Sequence, residues 1–236
     1  MAKVLDKPVG LADTDDQAAL RGGVRKLCES FPNSYWRELD VEREYPEAFV
    51  RALTEAGYLA ALIPEKFGGA GLGVAEASII LEEIDRAGGN SGACHAQMYI
   101  MGTLLRHGDD DQKRRYLPAI AHGELRLQAF GVTEPTAGSD TTTIQTTAVR
   151  KGDRYVVNGQ KIWTSRAEHS DLMLLLARTS PPEEAHKDKT FGLSTFLVDL
   201  RKAKPGALTI RPIRTMMNHA TTEVFFVDLE VPAENL

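Results

Sequence analysis

The chain has 236 residues, 42% hydrophobic and 26% charged, a globular composition sufficient for one large domain or two of ordinary size. Its formal net charge of -5 carries no basic block, which argues against nucleic acid or an anionic membrane as partner, and no run approaches the roughly 20 apolar residues that a membrane span needs. Cys28 and Cys94 are far apart without a partner motif, so neither a disulfide framework nor a zinc site is expected, and the absence of an apolar signal core in Met1-Ala2-Lys3-Val4-Leu5-Asp6 points to a cytoplasmic protein.

The first 125 residues carry helical periodicity. Thr14 and Gln17 have capping-box spacing, and Leu20, Val24, Leu27, Cys28 and Phe31 recur at helical intervals until Pro32-Asn33-Ser34 breaks the pattern. A second helix is predicted from Pro46 through Phe49, Leu53 and Ala56, stopping at Gly57. Pro64-Glu65-Lys66-Phe67-Gly68-Gly69-Ala70-Gly71-Leu72-Gly73 invites comparison with the dinucleotide fingerprint G-x-G-x-x-G, but Val74 stands where the third glycine belongs, so a packed surface loop is expected. Ala77, Ile80, Leu81 and Ile84 form a further stripe closed by Gly88-Gly89. The segment 91–105 is apolar on nearly every side and should be central, and Asp109 with Gln112 opens a helix carrying Tyr116, Leu117 and Ile120. Met98 and Met101 are read as adaptable core filling rather than as the lining of a cavity.

From residue 126 the period alternates, and Thr, Val, Ile and aromatic residues are enriched. Strands are predicted over 145–150, 155–157, 161–165, 172–178, 193–200, 208–213 and 223–231, with turns at Lys151-Gly152-Asp153 and Asn158-Gly159. Strands at this spacing suggest a barrel or sandwich, and the polar insert 180–188 reads as a mobile surface loop. The expected organisation is α+β and multidomain: an N-terminal α-helical bundle over 1–125 and a β-barrel or sandwich-like domain over 126–236.

Hydrolytic and metal chemistry find little support. There is no G-x-S-x-G, His169-Ser170-Asp171 is adjacent only in sequence, and the six histidines show no ligand spacing. Two segments stand out instead. Ala129-Phe130-Gly131-Val132-Thr133-Glu134-Pro135-Thr136-Ala137-Gly138-Ser139-Asp140 combines small residues, hydroxyls and exposed backbone, so that a flat heterocycle or phosphate could approach the main chain; an ordinary turn explains the same residues. Within it, Glu134 is read as locking the loop through backbone N–H bonds. Asn158-Gly159-Gln160-Lys161-Ile162-Trp163-Thr164-Ser165-Arg166-Ala167 places one of two tryptophans before two hydroxyls, for which core packing and stacking on a flat cofactor are the competing readings.

Taken together, Val132-Thr133-Glu134-Pro135-Thr136-Ala137-Gly138-Ser139-Asp140 and Gly159-Gln160-Lys161-Ile162-Trp163-Thr164-Ser165 resemble, in order and spacing, the flavin loop and flavin strand of the acyl-CoA dehydrogenase family. The likeness extends to Pro64-Glu65-Lys66-Phe67-Gly68-Gly69-Ala70-Gly71, to the helix around Gln112 and to Val231-Pro232-Ala233-Glu234-Asn235. The resemblance implies non-covalent FAD and α,β-desaturation of an acyl-CoA thioester, with an electron-transfer flavoprotein as acceptor and a homo-oligomeric enzyme, tetramer or dimer. A related oxidase or monooxygenase and a non-catalytic flavin- or CoA-binding subunit are the alternatives.

By position, Phe130, Val132 and Thr133 would meet the isoalloxazine, while Gly138 and Ser139 would lie along the flavin and the pantetheine arm of CoA, making Ser139 the substrate contact. Trp163 would cover the flavin face away from substrate, with Thr164 and Ser165 beside it. Ser165 stands where the family usually has threonine, Thr164 where isoleucine is common, Phe130 where tyrosine is frequent, and Thr143 where a small residue is usual. The family's glutamate base belongs to a third, helical domain beyond residue 236, so no catalytic residue is assigned here and residues 1–236 alone are expected to hold FAD poorly.

Overall fold

The computed structural model describes residues 13–181 and 188–236; the start of the chain, including the segment read for a signal core, and most of the polar insert lie outside them. Six helices come first: α1 (Asp15–Cys28), α2 (Asn33–Glu42), α3 (Glu47–Glu55), α4 (Val74–Arg86), α5 (Gly92–His107) and α6 (Asp110–Ala121). Both predicted capping boxes form. The Thr14 hydroxyl accepts from Gln17 N at 3.2 Å, and the Asp109 carboxylate accepts from Gln112 N at 2.7 Å. Each ties down N–H groups that the first turn of a helix leaves without partners.

Helix α2 departs from the sequence expectation, which ended ordered helix at Pro32-Asn33-Ser34. Pro32 does not terminate structure but caps it, since its extended backbone (φ -68°, ψ 167°) leads into the new helix, where a missing N–H costs nothing. Aromatic packing then holds this short helix: Tyr35 and Trp36 meet Phe31 and Phe49 edge-on, with ring centroids 4.8–5.1 Å apart. The glycine-rich loop after α3 is packed, as expected. A Cβ on Gly69 would fall 2.1 Å from the Ile63 carbonyl oxygen, and Gly71 N and Leu72 N donate back to Ile63 O and Ala61 O, each at 2.8 Å.

The second half is a curled seven-stranded mixed sheet comprising β1 (Leu127–Gly131), β2 (Thr147–Lys151), β3 (Arg154–Ser165), β4 (Leu172–Arg178), β5 (Leu193–Asp199), β6 (Leu208–Pro212) and β7 (Thr221–Pro232). The pairing path is β1-β4-β2-β3-β7-β6, with β5 antiparallel to β4; β1 runs parallel to β4. Two expectations change here. Phe130 and Gly131 close a strand rather than opening a turn. Asn158-Gly159 does not turn the chain; β3 runs straight through it, opposite a bulge whose extra residue lies on β7 between Phe226 and Leu229. Gly159 is required there, because its φ is +149° and a Cβ would come 2.5 Å from the Thr146 hydroxyl.

The halves share one apolar cluster. Ala96, Ile100, Leu117 and Ile120 of α5 and α6 pack with Leu127, Leu172, Leu174 and Leu197 of β1, β4 and β5, all buried. Met98 and Met101 are buried in the helical interior, consistent with core filling. Helix α5 is therefore the central helix, one side in the helical core and another against β1.

Candidate functional site

Strand β1 delivers the chain into the turn that follows Gly131, and an internal ion pair shapes that turn. Glu134 and Ala137 exchange backbone hydrogen bonds of 2.9 and 3.1 Å, which leaves Pro135 and Thr136 exposed and turns the Glu134 side chain inward. There its carboxylate accepts from Gln145 N at 2.6 Å, from Thr146 N at 2.9 Å and from Lys161 Nζ at 2.8 Å. Lys161, fully buried on β3, also donates to the Val132 carbonyl at 2.9 Å. Burial pushes the Glu134 pKa up, but the two N–H donors and the ammonium outweigh it, and the carboxyl is held below its ordinary value. Burial lowers the Lys161 pKa against the pull of Glu134. The pair is a clamp: one end fixes the start of the turn at Val132 and the other joins it to residues 145–146. The sequence reading of Glu134 as a loop lock agrees with this geometry; its partner Lys161 was not singled out. Lys161 is in phase with buried Tyr155 and Val157 along β3, which places it on the inward side, and that alternation is the signal that could have found it.

Beside the turn, Ile162 N donates to Thr133 O at 2.9 Å, which brings the two sequence-selected segments side by side. One residue on, β3 bulges between Lys161 and Thr164, and Trp163 takes φ 60° with 57% of its surface exposed. The core-packing reading of Trp163 therefore fails. A bulky side chain in the left-handed region is a backbone outlier, and such outliers concentrate at ligand sites. Two more non-glycine residues in that region lie close by, Arg166 at φ 61° and Asn218 at φ 57°, and Asn218 Nδ2 donates to Ser165 Oγ at 2.9 Å.

The remaining selected residues are placed unequally. Phe130 is half-buried, its ring 6.1 Å from that of Tyr99 on α5. Val132 and Thr133 are half-buried at the mouth of the turn, and Gly138 and Ser139 are exposed on its outer limb. A Cβ at Gly138 would meet nothing within 4 Å, so this limb is open to a ligand. Thr164 turns inward at 1% exposure, its carbonyl accepting from Thr222 Oγ1 at 2.7 Å, and its own buried Oγ1 has no partner. Any contact it makes with a ligand at the strand surface would run through its backbone.

These residues fit a flat, polar-edged cofactor: an open glycine limb, an exposed indole held by a bulge, and a hydroxyl fixed by Asn218 flank one stretch of backbone. The histidine, serine and aspartate adjacent in sequence at 169–171 do not assemble. Ser170 Oγ donates to the Arg166 carbonyl at 2.8 Å, Asp171 accepts from Arg126 N at 2.7 Å and His169 stacks on Tyr45 with centroids 4.4 Å apart, so the three make no triad. Among the described residues no three His, Cys, Asp or Glu side chains are grouped to hold a metal.

The structure is an α+β fold, a helical bundle packed on a curled mixed sheet, with a clamped turn beside a bulged strand that carries an exposed tryptophan. Residues 14–124 match the family description "Acyl-CoA dehydrogenase, N-terminal domain", and residues 129–229 match "Acyl-CoA dehydrogenase, middle domain". The chain belongs to the acyl-CoA dehydrogenase family. It is 35% identical over 226 residues to acyl-CoA dehydrogenase FadE29 of Mycobacterium tuberculosis, covering 94% of this chain and 56% of that protein. It is 32% identical to the mitochondrial isovaleryl-CoA dehydrogenase of Pongo abelii, covering 94% of this chain and 53% of that one. The crystal structure of acyl-CoA dehydrogenase from Geobacillus kaustophilus superposes with a TM-score of 0.86 at 31% identity, covering 96% of this chain and 59% of that chain. The chain thus spans a little over half the length of these relatives. No helix among the described residues is long and apolar enough to cross a membrane.

Proposed function

We propose that this chain supplies the flavin- and CoA-binding part of an enzyme that desaturates acyl-CoA thioesters between Cα and Cβ. The observation that carries the reading is the exposed, left-handed Trp163 beside a turn clamped by Glu134 and Lys161, in a chain of this family. The reaction removes the α-hydrogen as a proton and the β-hydrogen with its electron pair, giving the 2-enoyl thioester. Bound at this site, FAD would supply the two-electron acceptor.

The protein's own residues serve that chemistry by position. Val132 and Thr133 would hold the flavin ring through backbone and hydroxyl, and Phe130 would close one side. Gly138 and Ser139 would leave an unobstructed limb for the pantetheine arm, Trp163 would cover one flavin face, and Ser165, held by Asn218, would offer its hydroxyl to the ring edge. Glu134 is committed to three donors and is not available to take the α-proton. Electrons would pass to an electron-transfer flavoprotein, and the working enzyme would be a homo-oligomer.

The test is anaerobic addition of acyl-CoAs of graded length and branching to the complete, FAD-loaded protein. Loss of the oxidised flavin band with at least one thioester is expected. An unchanged spectrum with every thioester rejects the reading.

A further inference from the structure

The Ser165 hydroxyl is aimed by a residue outside the two segments that form the candidate site. Thr164 turns inward, so its neighbours Trp163 and Ser165 both face outward, the indole exposed and the serine half-buried. Serine is unbranched at Cβ, and its side chain has three staggered rotamers and a hydroxyl proton that rotates to suit its partners. A hydroxyl that is to meet a ligand from a strand surface needs something to fix both. Asn218 supplies it, its Nδ2 donating to Ser165 Oγ at 2.9 Å.

Asn218 is itself firmly held. It lies in the connection between β6 and β7 at φ 57°, in the left-handed region that asparagine tolerates better than most residues. Its carbonyl oxygen accepts from Thr221 N at 3.1 Å, from Thr221 Oγ1 at 2.7 Å and from Thr215 Oγ1 at 3.2 Å, which closes the turn. Thr221 also pairs with Ser165 across β7 and β3, so the anchor of the turn and its target share one rung of the sheet. On the other side His219 Nε2 and Asp40 Oδ1 lie 2.8 Å apart and tie the turn to α2. The bond to Ser165 has a direction as well. An amide nitrogen donates and cannot accept, so Ser165 Oγ receives a proton from Asn218 and keeps its own for another partner.

We propose that Asn218 is a positioning residue for the cofactor: it selects the Ser165 rotamer and turns the hydroxyl proton away from itself, so that Ser165 meets the flavin edge as a hydrogen-bond donor. This rests on the flavin-binding reading above and adds the orientation of one of its contacts. Donation from Asn218 also strengthens the serine as a donor, because hydrogen bonds in a chain polarise one another.

The test uses the complete protein, stripped of flavin and titrated with FAD, with the visible band of the bound flavin recorded. Two substitutions keep the turn, since glycine and aspartate both accept a left-handed backbone. Asn218→Gly deletes the amide, frees the serine rotamer and raises the FAD dissociation constant about 2- to 4-fold. Asn218→Asp puts an acceptor where the donor was, takes the Ser165 proton for itself and raises the constant about 5- to 10-fold. It also shifts the flavin band in the same sense as Ser165→Ala. In a Ser165→Ala background Asn218→Gly has no further effect, because the two residues act as one unit. Three results overturn the assignment: FAD affinity unmoved by either substitution, an aspartate variant that matches the wild type, or a glycine effect that persists without the serine hydroxyl. If the wild type takes up no FAD, the flavin-binding reading is rejected and the role of Asn218 with it. If FAD binds but no acyl-CoA bleaches it, only desaturation is lost, and the titration still decides Asn218.

Discussion

Among the described residues two glutamates are buried, one in each half, and they solve the same problem differently. Glu83 on α4 is 1% exposed and accepts from Arg21 Nη1 at 2.7 Å and from Arg25 Nε at 3.0 Å, both on α1. Its partners reach in from the surface: the Arg21 side chain is 18% exposed and that of Arg25 52%. Glu134 is 5% exposed, but its cation is fully buried and its other two partners are backbone N–H groups. The first arrangement staples two helices through side chains that water can still reach. The second has no solvated component, so breaking it leaves a charge with nowhere to go, and what it fixes is the course of the main chain at the candidate site.

The contrast is sharpest if Lys161 is removed. Lys161→Met leaves Glu134 buried without its cation and should cost about 3–5 kcal/mol, the usual loss when one member of a buried pair is deleted, read from the urea midpoint of the chain. Glu134→Gln keeps one acceptor oxygen and should cost less, about 1.5–3 kcal/mol, with a distinctive pH profile. The folded pKa of Glu134 lies below the ordinary carboxylate value of about 4.5. Its stabilisation is therefore complete above that value and is lost as pH falls through the lower folded pKa. Stability of the Gln variant should accordingly fall less between pH 5 and the acid limb than that of the wild type; parallel curves would mean that Glu134 is not the ionised group. Glu83→Gln should shift the urea midpoint less than Lys161→Met does, since water can solvate the two released guanidiniums. A larger shift would contradict the division drawn here. Smallest in stability is Trp163→Ala, expected within about 0.5 kcal/mol of wild type as an exposed substitution, while the FAD-loaded complete protein should retain less flavin on gel filtration.

Much of this was legible in the chain where local chemistry and long-range packing agree. The capping boxes at Thr14 and Asp109 mark real helix starts, and the apolar run 172–178 is strand β4 to the residue because it is buried on both faces. Legibility fails where a local signal is overruled. Pro32 and Asn33 carry turn chemistry, yet the aromatic cluster around Phe49 gives the following residues reason to be helical. Asn158-Gly159 is a strong hairpin signal, but β7 pairs with β3 on both sides of it, taking up the mismatch as a bulge of its own, and holds the two residues within the strand. In the candidate site the two segments could be chosen from residue type alone. The burial of Thr164 depends on the bulge at Trp163, which no local pattern encodes, and the pairing of Glu134 with Lys161 on a contact between segments far apart in sequence.

The shared apolar cluster of α5, α6, β1, β4 and β5 bears on how such a protein can be divided. Helices end at Ala121 and strands begin at Leu127, which invites a cut between them. Such a cut would strip Leu127, Leu172, Leu174 and Leu197 of the helices that cover them, and would open the inner sides of α5 and α6 to water. The two halves have distinct architectures and a core each, but share a third part of their interior, so a cut between them would expose apolar surface on both.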